Sequence, residues 1–518
     1  MIKKLPVDVS SFITMRQNDY LYVDKTQQMY SLIRAARLFF LSRPRRFGKT
    51  LLIGALEAFF LGKRDLFSGL WVDSISDCDW QSHPVIRLSF AGSLTAFDFE
   101  KNLIGDLEDI AQRYNITLKK YDTLVLLFKH LVMALSEINK VVILIDEYDY
   151  ALLRNLDKPA EAIKIRNLMQ SFFSVVKDLD EQMRFVFITG ISKFSKASLF
   201  SGLNNLIDLS QDVIAAELVG YTSAELVNCY QPYLEQLAHA QSVSLATILE
   251  KLQEWYNGYQ FSRAPVKVYN PFSINLACFK NNIANYWIES GTPSFLIFLL
   301  GRLPAPVQDI EGVCLKENSL SSFDVESIPL HPLLFQTGYL TIGDYDNRTG
   351  EYLLRYPNRE VSQAFKDYLV AAFAHVPLSE LDQGCGQIRQ ALQNNNIELF
   401  CDALRTLFSN VPYQLHISQE RYYHSLIQMI GTIMGLAIES EVSVSSGRID
   451  LVITFAPYRY VIELKFDSTP AHALDQIEER RYYQRYLIGD YVIVLVGIAL
   501  NRRHGFLWIE HVSRIVDK

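Results

Sequence analysis

Residues 38 to 50 read Leu-Phe-Phe-Leu-Ser-Arg-Pro-Arg-Arg-Phe-Gly-Lys-Thr, and Leu-Leu-Ile-Gly-Ala-Leu-Glu-Ala-Phe-Phe comes directly after. The opening residues are apolar without alternation, which marks a strand covered on both faces and hence a parallel sheet under helices. The residues beyond Gly48 have the composition of a helix. Strand, short loop, Gly-Lys-Thr and helix together constrain the fold more than any other stretch, because backbone N–H groups at such a helix start face an anion. On this reading the loop is a phosphate-binding loop of the Walker A kind, built on Gly48. Lys49 reaches the β- and γ-phosphates, and the Thr50 hydroxyl ligates Mg²⁺. One position departs from the full pattern: Arg43 stands where glycine is usual, and Pro44 stiffens the turn.

A loop of this kind needs an acidic partner strand. Val-Val-Ile-Leu-Ile-Asp-Glu at 141 to 147 is a fully apolar run ending in acid, the Walker B arrangement. There Asp146 holds Mg²⁺ through water and Glu147 polarises the hydrolytic water. Between the two motifs, His-Pro-Val-Ile-Arg-Leu-Ser-Phe at 83 to 90 reads as a further strand, as in the additional-strand class of P-loop ATPases. Arg-Phe-Val-Phe-Ile-Thr-Gly at 184 to 190 is another, which makes Thr189 a γ-phosphate sensor. Arg43, Arg45 and Arg46 leave two readings open: phosphate contacts, including an arginine finger in cis, or pairing with acidic neighbours at a domain junction. Lys193 and Lys196 read as a solvated loop face, with phosphate contact as the alternative.

The N-terminal half resembles the AAA-ATPase-like domain family that is commonly joined to a C-terminal PD-(D/E)XK domain. The carrying motifs are Tyr-Leu-Tyr-Val-Asp-Lys-Thr at 20 to 26, Arg-Pro-Arg-Arg-Phe-Gly-Lys-Thr at 43 to 50 and Asp-Glu-Tyr-Asp at 146 to 149. Ser-Leu-Phe-Ser-Gly-Leu-Asn-Asn at 198 to 205, Trp-Tyr-Asn-Gly-Tyr at 255 to 259 and Tyr-Asn-Pro-Phe-Ser at 269 to 273 extend the match. The resemblance implies that the missing glycine at position 43 is a family trait.

Near the C-terminus stand Ser-Ser-Gly-Arg-Ile-Asp-Leu-Val-Ile at 445 to 453 and Tyr-Val-Ile-Glu-Leu-Lys-Phe at 460 to 466. Side chains at i and i+2 on a strand share a face, so Glu463 and Lys465 point the same way. A hairpin turning at Ala456-Pro457 brings Asp450 beside them. Two carboxylates suit a hard divalent cation, and the lysine suits a phosphate or an attacking water, a combination fitted to phosphodiester cleavage. Asp450 followed by Glu463-Leu464-Lys465 resembles the core of the PD-(D/E)XK nuclease superfamily, with Ile-Asp in place of the leading proline. The same resemblance implies auxiliary roles for Glu420, as a further metal-facing carboxylate with Glu439 and Glu441 as rivals, and for Gln476, as a polar contact to substrate or water.

Composition narrows the class. The 518 residues suffice for two or three domains, and 49% apolar with 12% aromatic content is globular. A net charge of −7 excludes a generally basic surface, so nucleic-acid contacts fall to local patches such as Arg480, Arg481 and Arg485 beside Tyr482, Tyr483 and Tyr486. These are expected on a helix after the catalytic strands, with an inward-packed aromatic face as the alternative. The six cysteines form no close pair, which points to buried thiols in a reducing compartment. With no signal-peptide core, and with an apolar run at 491 to 500 too short to span a bilayer, the expected location is cytoplasmic.

The expected fold class is α/β: a P-loop ATPase of the additional-strand class with a mostly parallel sheet, a helical and winged-helix-like middle, and a C-terminal α/β restriction-endonuclease-like domain. Expected boundaries are 1–218 for the ATPase-like domain, 219–360 for a helical lid and winged-helix-like region, 361–414 for a helical connector and 415–518 for the nuclease-like domain. Thr222 is the expected cap of the first lid helix, and a hairpin is expected at 338 to 357. The function expected is ATP hydrolysis coupled to Mg²⁺-dependent cleavage of nucleic acid, DNA ahead of RNA, with Mn²⁺ as a substitute metal. A defence or DNA-processing role is suggested by architecture alone. The alternative is a nucleotide-dependent signalling or assembly switch whose nuclease-like domain only binds. No membrane partner is expected, and a homo-oligomer stays open.

Overall fold

The computed structural model describes residues 2–118, 123–194, 199–200, 203, 205–287, 310–321, 323, 328–409, 420–444, 447–503 and 506–516. It divides into two compact units, Met1–Gly291 with Ile310–Ser362, and Thr292–Asp309 with Gln363–Lys518.

In the first unit the strands β1 (Leu38–Ser42), β2 (Val85–Ser89), β3 (Val141–Asp146), β4 (Met183–Gly190) and β5 (Ile207–Asp208) form one sheet in the order β2-β3-β4-β1-β5, every pair parallel. Every residue of β1 and β3 is buried, as their unbroken apolar sequence requires. The strand that separates β1 from β3 in space is β4, while β2, which lies between them in sequence, stands at the edge beyond β3. The register Leu41↔Thr189 and Ile145↔Ile188 brings the C-terminal ends of β1, β3 and β4 level. Open parallel sheets bind ligands at that edge.

Beyond the sheet, helices Ser223–Ala240, Leu245–Tyr256 and Pro271–Lys280 close on a core that includes Leu226, Tyr230, Leu252, Tyr256 and Ile274. The first begins with a capping box in which Thr222 and Glu225 satisfy each other's backbone N–H. Glu225 also accepts from Lys25 Nζ at 2.6 and 2.7 Å, while Asp24 accepts from the backbone N of Thr26 and Trp71 at 2.9 and 2.6 Å. The segment at 20 to 26 is therefore a junction between layers. Strands β6 (Cys314–Lys316), β7 (Thr341–Asp346) and β8 (Glu351–Arg355) make a small antiparallel sheet in which β7 and β8 form the hairpin.

The second unit holds a mixed sheet of β9 (Ala437–Val444), β10 (Gly447–Phe455), β11 (Tyr458–Phe466), β12 (Val492–Arg503) and β13 (Phe506–Ile515) in the order β13-β12-β11-β10-β9. Within it only β11 and β12 pair in parallel. Helix Pro470–Glu479 packs on β11 and β12, the crossover that a parallel pair demands. This helix ends at Glu479, so the arginine and tyrosine run after it is not helical as expected: Arg480 to Tyr483 form turns and Gln484–Tyr486 a 3₁₀ turn. Tyr482 and Tyr486 pack inward against Ile449, Val452 and Ile477, and Arg480, Arg481 and Arg485 are exposed.

Candidate functional sites

At the level ends of β1, β3 and β4, the residues read from the sequence converge. Gly48 takes a left-handed φ of 96° as it caps helix Lys49–Phe60, a conformation that costs glycine nothing. Thr50 Oγ1 donates to Asp146 Oδ2 at 2.7 Å, and Thr189 Oγ1 donates to Asp146 Oδ1 at the same distance. Asp146 is thereby oriented by two hydroxyls. Lys49 Nζ donates to the carbonyls of Arg43 and Pro44, both at 2.8 Å, and burial pulls its pKa down to about 8. Glu147 has a strained φ of 49°, and burial together with the neighbouring Asp146 charge raises its carboxyl. Lys49, Thr50 and Glu147 line an open cleft of about 570 Å³ together with Arg45, Arg46, Tyr221, Pro271 and Phe272. A cleft of that size holds a nucleotide-sized ligand.

In the second unit, Leu464 N donates to Asp450 Oδ2 at 2.8 Å across the β10–β11 pair, setting that carboxylate beside Glu463. Glu463 is 1% exposed. Its Oε1 accepts from Lys465 Nζ at 3.0 Å and from Gln476 Nε2, whereas its Oε2 is buried and accepts nothing from the described residues. Burial and then the Asp450 charge push the Glu463 pKa up to about 7, and burial raises Asp450 as well. A buried carboxylate oxygen without a donor is costly, and a proton or a divalent cation could satisfy it. The helix Glu420–Ile433 starts at Glu420, whose side chain lies outside the described residues.

Two family models match the stretches of chain that carry these residues. The sequence model of the family described as "Predicted AAA-ATPase" matches residues 6–200, and that of the PD-(D/E)XK nuclease superfamily matches residues 418–508. The "Uncharacterized protein in vnfD 5'region" of Azotobacter chroococcum mcd 1 is 35% identical over 515 residues, covering 96% of this chain and 97% of the relative. The chain belongs to the predicted AAA-ATPase family that ends in a PD-(D/E)XK nuclease superfamily domain.

Within the AAA-ATPase domain the three loop arginines separate. Arg43 is 1% exposed and donates to the carbonyls of Ser42, Ser210 and Ala215 at 2.9, 2.6 and 2.9 Å, with its guanidinium 4.3 Å from the Phe261 ring centre. It is a structural tie, and its guanidinium makes no ion pair among the described residues. Arg46 lies 3.6 Å from the Phe272 ring centre, and Arg45 lines the cleft. Lys193 corrects the expectation of a solvated face: it is 12% exposed in its side chain and paired with Asp208. Lys196, and Ser198, Ser201, Gly202 and Asn204 of the motif at 198 to 205, lie outside the described residues. No helix among the described residues is long and apolar enough to cross a membrane.

Sequence reasoning missed three residues. Asp149 is fully buried and accepts from Ile191 N at 3.1 Å and Ser192 N at 2.6 Å, so it ties the end of β3 to the loop after Thr189. In the nuclease domain, His424 Nε2 lies 2.8 Å from the Asp450 carbonyl and braces that strand. Glu360, also fully buried, accepts from Ser273 Oγ at 2.9 Å, Tyr286 N at 2.7 Å and Trp287 N at 2.9 Å. The Asp-Glu-Tyr-Asp motif signalled Asp149. Nothing local signalled Glu360.

Proposed function

We propose that ATP binding and hydrolysis in the AAA-ATPase domain control Mg²⁺-dependent phosphodiester cleavage of nucleic acid by the PD-(D/E)XK domain. The observation that carries the coupling is helix Pro271–Lys280. Its Pro271 and Phe272 line the nucleotide cleft, and the next residue, Ser273, holds Glu360 in the first turn of helix Arg359–Ala374. That helix starts in the first unit and runs on into the second, since the division falls between Ser362 and Gln363.

The grip on the helix start is broad. Asn358 Nδ2 donates to the Asn257 carbonyl at 2.8 Å, Arg359 pairs with Glu254 at 3.1 Å, and its guanidinium lies 4.8 Å from the Trp255 ring centre. A change in the cleft that shifts helix Pro271–Lys280 therefore shifts the root of the connecting helix, because packed elements move as bodies.

At the nucleotide site, Lys49 would donate to phosphate oxygens in place of its two loop carbonyls, Thr50 and Asp146 would hold Mg²⁺, and Glu147 would orient water. At the nuclease site, Asp450 and the open Oε2 of Glu463 would hold Mg²⁺ or Mn²⁺. Lys465 and Gln476 fix the other Glu463 oxygen, and Lys465 stands by for the phosphate. The bound metal supplies a Lewis acid for the phosphate and lowers the pKa of a bound water.

The test assays wild type, Asp450→Ala, Lys465→Ala and Lys49→Ala on single- and double-stranded DNA and RNA with Mg²⁺ or Mn²⁺, with and without ATP. Cleavage is expected from wild type, lost in the two nuclease-site variants and no longer ATP-responsive in Lys49→Ala. If wild type cuts no polymer under any of these conditions while Lys49→Ala abolishes ATP-dependent self-association, the switch reading replaces this one.

A further inference from the structure

The loop carries three guanidiniums, and the structure commits two of them. Arg43 is buried under Phe261 and its terminal nitrogens donate to three carbonyls, so reaching the cleft would strand those acceptors. Arg46, with a left-handed φ of 66°, is laid against the Phe272 ring. Arg45 is different. It is half-buried and, like Arg46, lines the cleft that holds Lys49, Thr50 and Glu147, but its guanidinium makes no hydrogen bond or ion pair among the described residues. Its charge is felt by both Lys49 and Glu147, which places it in the field of the two groups that flank a terminal phosphate.

We propose that Arg45 contacts the terminal phosphate of the bound nucleoside triphosphate, an anion ligand supplied in cis by the loop itself. This rests on the reading of the cleft as a nucleotide site. A planar guanidinium can meet two phosphate oxygens at once, and charge gathers on those oxygens as the terminal group departs, so the contact strengthens toward the transition state. It also makes the site sense the third phosphate. A diphosphate lacks the group that Arg45 would hold. The flanking residues sharpen the device: Pro44 limits the backbone before Arg45, and Arg46 is pinned on Phe272 just after it. Both restrict where the Arg45 side chain can go, and Phe272 belongs to the helix that grips Glu360 through Ser273.

The experiment uses the full chain with ADP and a non-hydrolysable ATP analogue, each titrated by calorimetry with Mg²⁺, alongside ATP turnover. Arg45→Ala is expected to leave ADP affinity within about twofold, to weaken the analogue about tenfold or more, and to lower turnover more than it raises KM. Arg45→Lys, which keeps charge but not the planar fork, should recover part of the analogue affinity and less of the turnover. An unchanged analogue-to-ADP ratio in Arg45→Ala overturns the proposal, as does loss of that ratio in Arg46→Ala alone. If wild type binds neither nucleotide, the reading of the cleft fails and the role of Arg45 falls with it.

Discussion

Thr50 and Thr189 each donate to one carboxylate oxygen of Asp146, both at 2.7 Å. Asp146→Ala strands both hydroxyls, and Thr189 is fully buried. The expected cost is about 1–3 kcal/mol of stability, read by urea denaturation, with ATP turnover down on the order of a hundredfold. Asp146→Asn keeps an acceptor and the shape, so it should lose turnover while retaining most of the stability.

Burial lifts the Glu360 carboxyl from its ordinary 4.5 to about 7. Between those values the folded protein keeps a proton that the unfolded chain has released, so the group's contribution is complete below the lower value and is lost as pH rises through the higher one. Glu360→Gln removes that titration while still accepting from Tyr286 and Trp287. Its stability relative to wild type should rise between about pH 5 and about pH 8, by at most about 3 kcal/mol. Parallel pH profiles from thermal or urea unfolding would contradict this.

Gly258 has a φ of 99°, and a Cβ there would sit 1.9 Å from the Pro357 carbonyl oxygen. Gly258→Ala must push away the segment that leads into the connecting helix. A loss of about 2 kcal/mol or more is expected, visible as a lowered Tm, with faster proteolysis near residues 357 to 362.

Glu463→Gln removes the anionic oxygen that lacks a donor, and Asp450→Asn neutralises its neighbour. Each should weaken Mn²⁺ binding at least about tenfold, measured by electron paramagnetic resonance of the free ion. Gln476→Ala should act less strongly, because Lys465 still holds Oε1 at 3.0 Å. Mn²⁺ affinity equal to wild type in both carboxylate variants would place the metal elsewhere.

Much of this site geometry was legible because it is local. Lys49 and Thr50 are adjacent, Asp146 and Glu147 close one apolar strand, and Glu463 and Lys465 share a strand face by the period of two. Even Asp450, thirteen residues before Glu463, is tied to it by a single turn at Ala456-Pro457. Where partners are distant, the sequence was silent or misleading. Lys193 read as solvated because Asp208 reaches it only through the chain's return along β5. Arg480 and Arg481 read as helical because their composition suits a helix, yet packing of Tyr482 and Tyr486 into the core turned the chain.

What the sequence alone determined is the set of parts: buried parallel strands, a Gly-Lys-Thr loop, an acidic strand end and a paired-carboxylate hairpin with its lysine. Each is encoded in contiguous residues whose periodicity or spacing forces the local geometry. Only the tertiary structure decided that Arg43 is buried away from the cleft and Arg46 laid on Phe272, that Gln476 steadies Glu463, and that Ser273 reaches across 87 positions to hold Glu360. Those choices depend on burial and on hydrogen-bond satisfaction between distant segments. Three guanidiniums identical in chemistry differ only in what the fold packs around them.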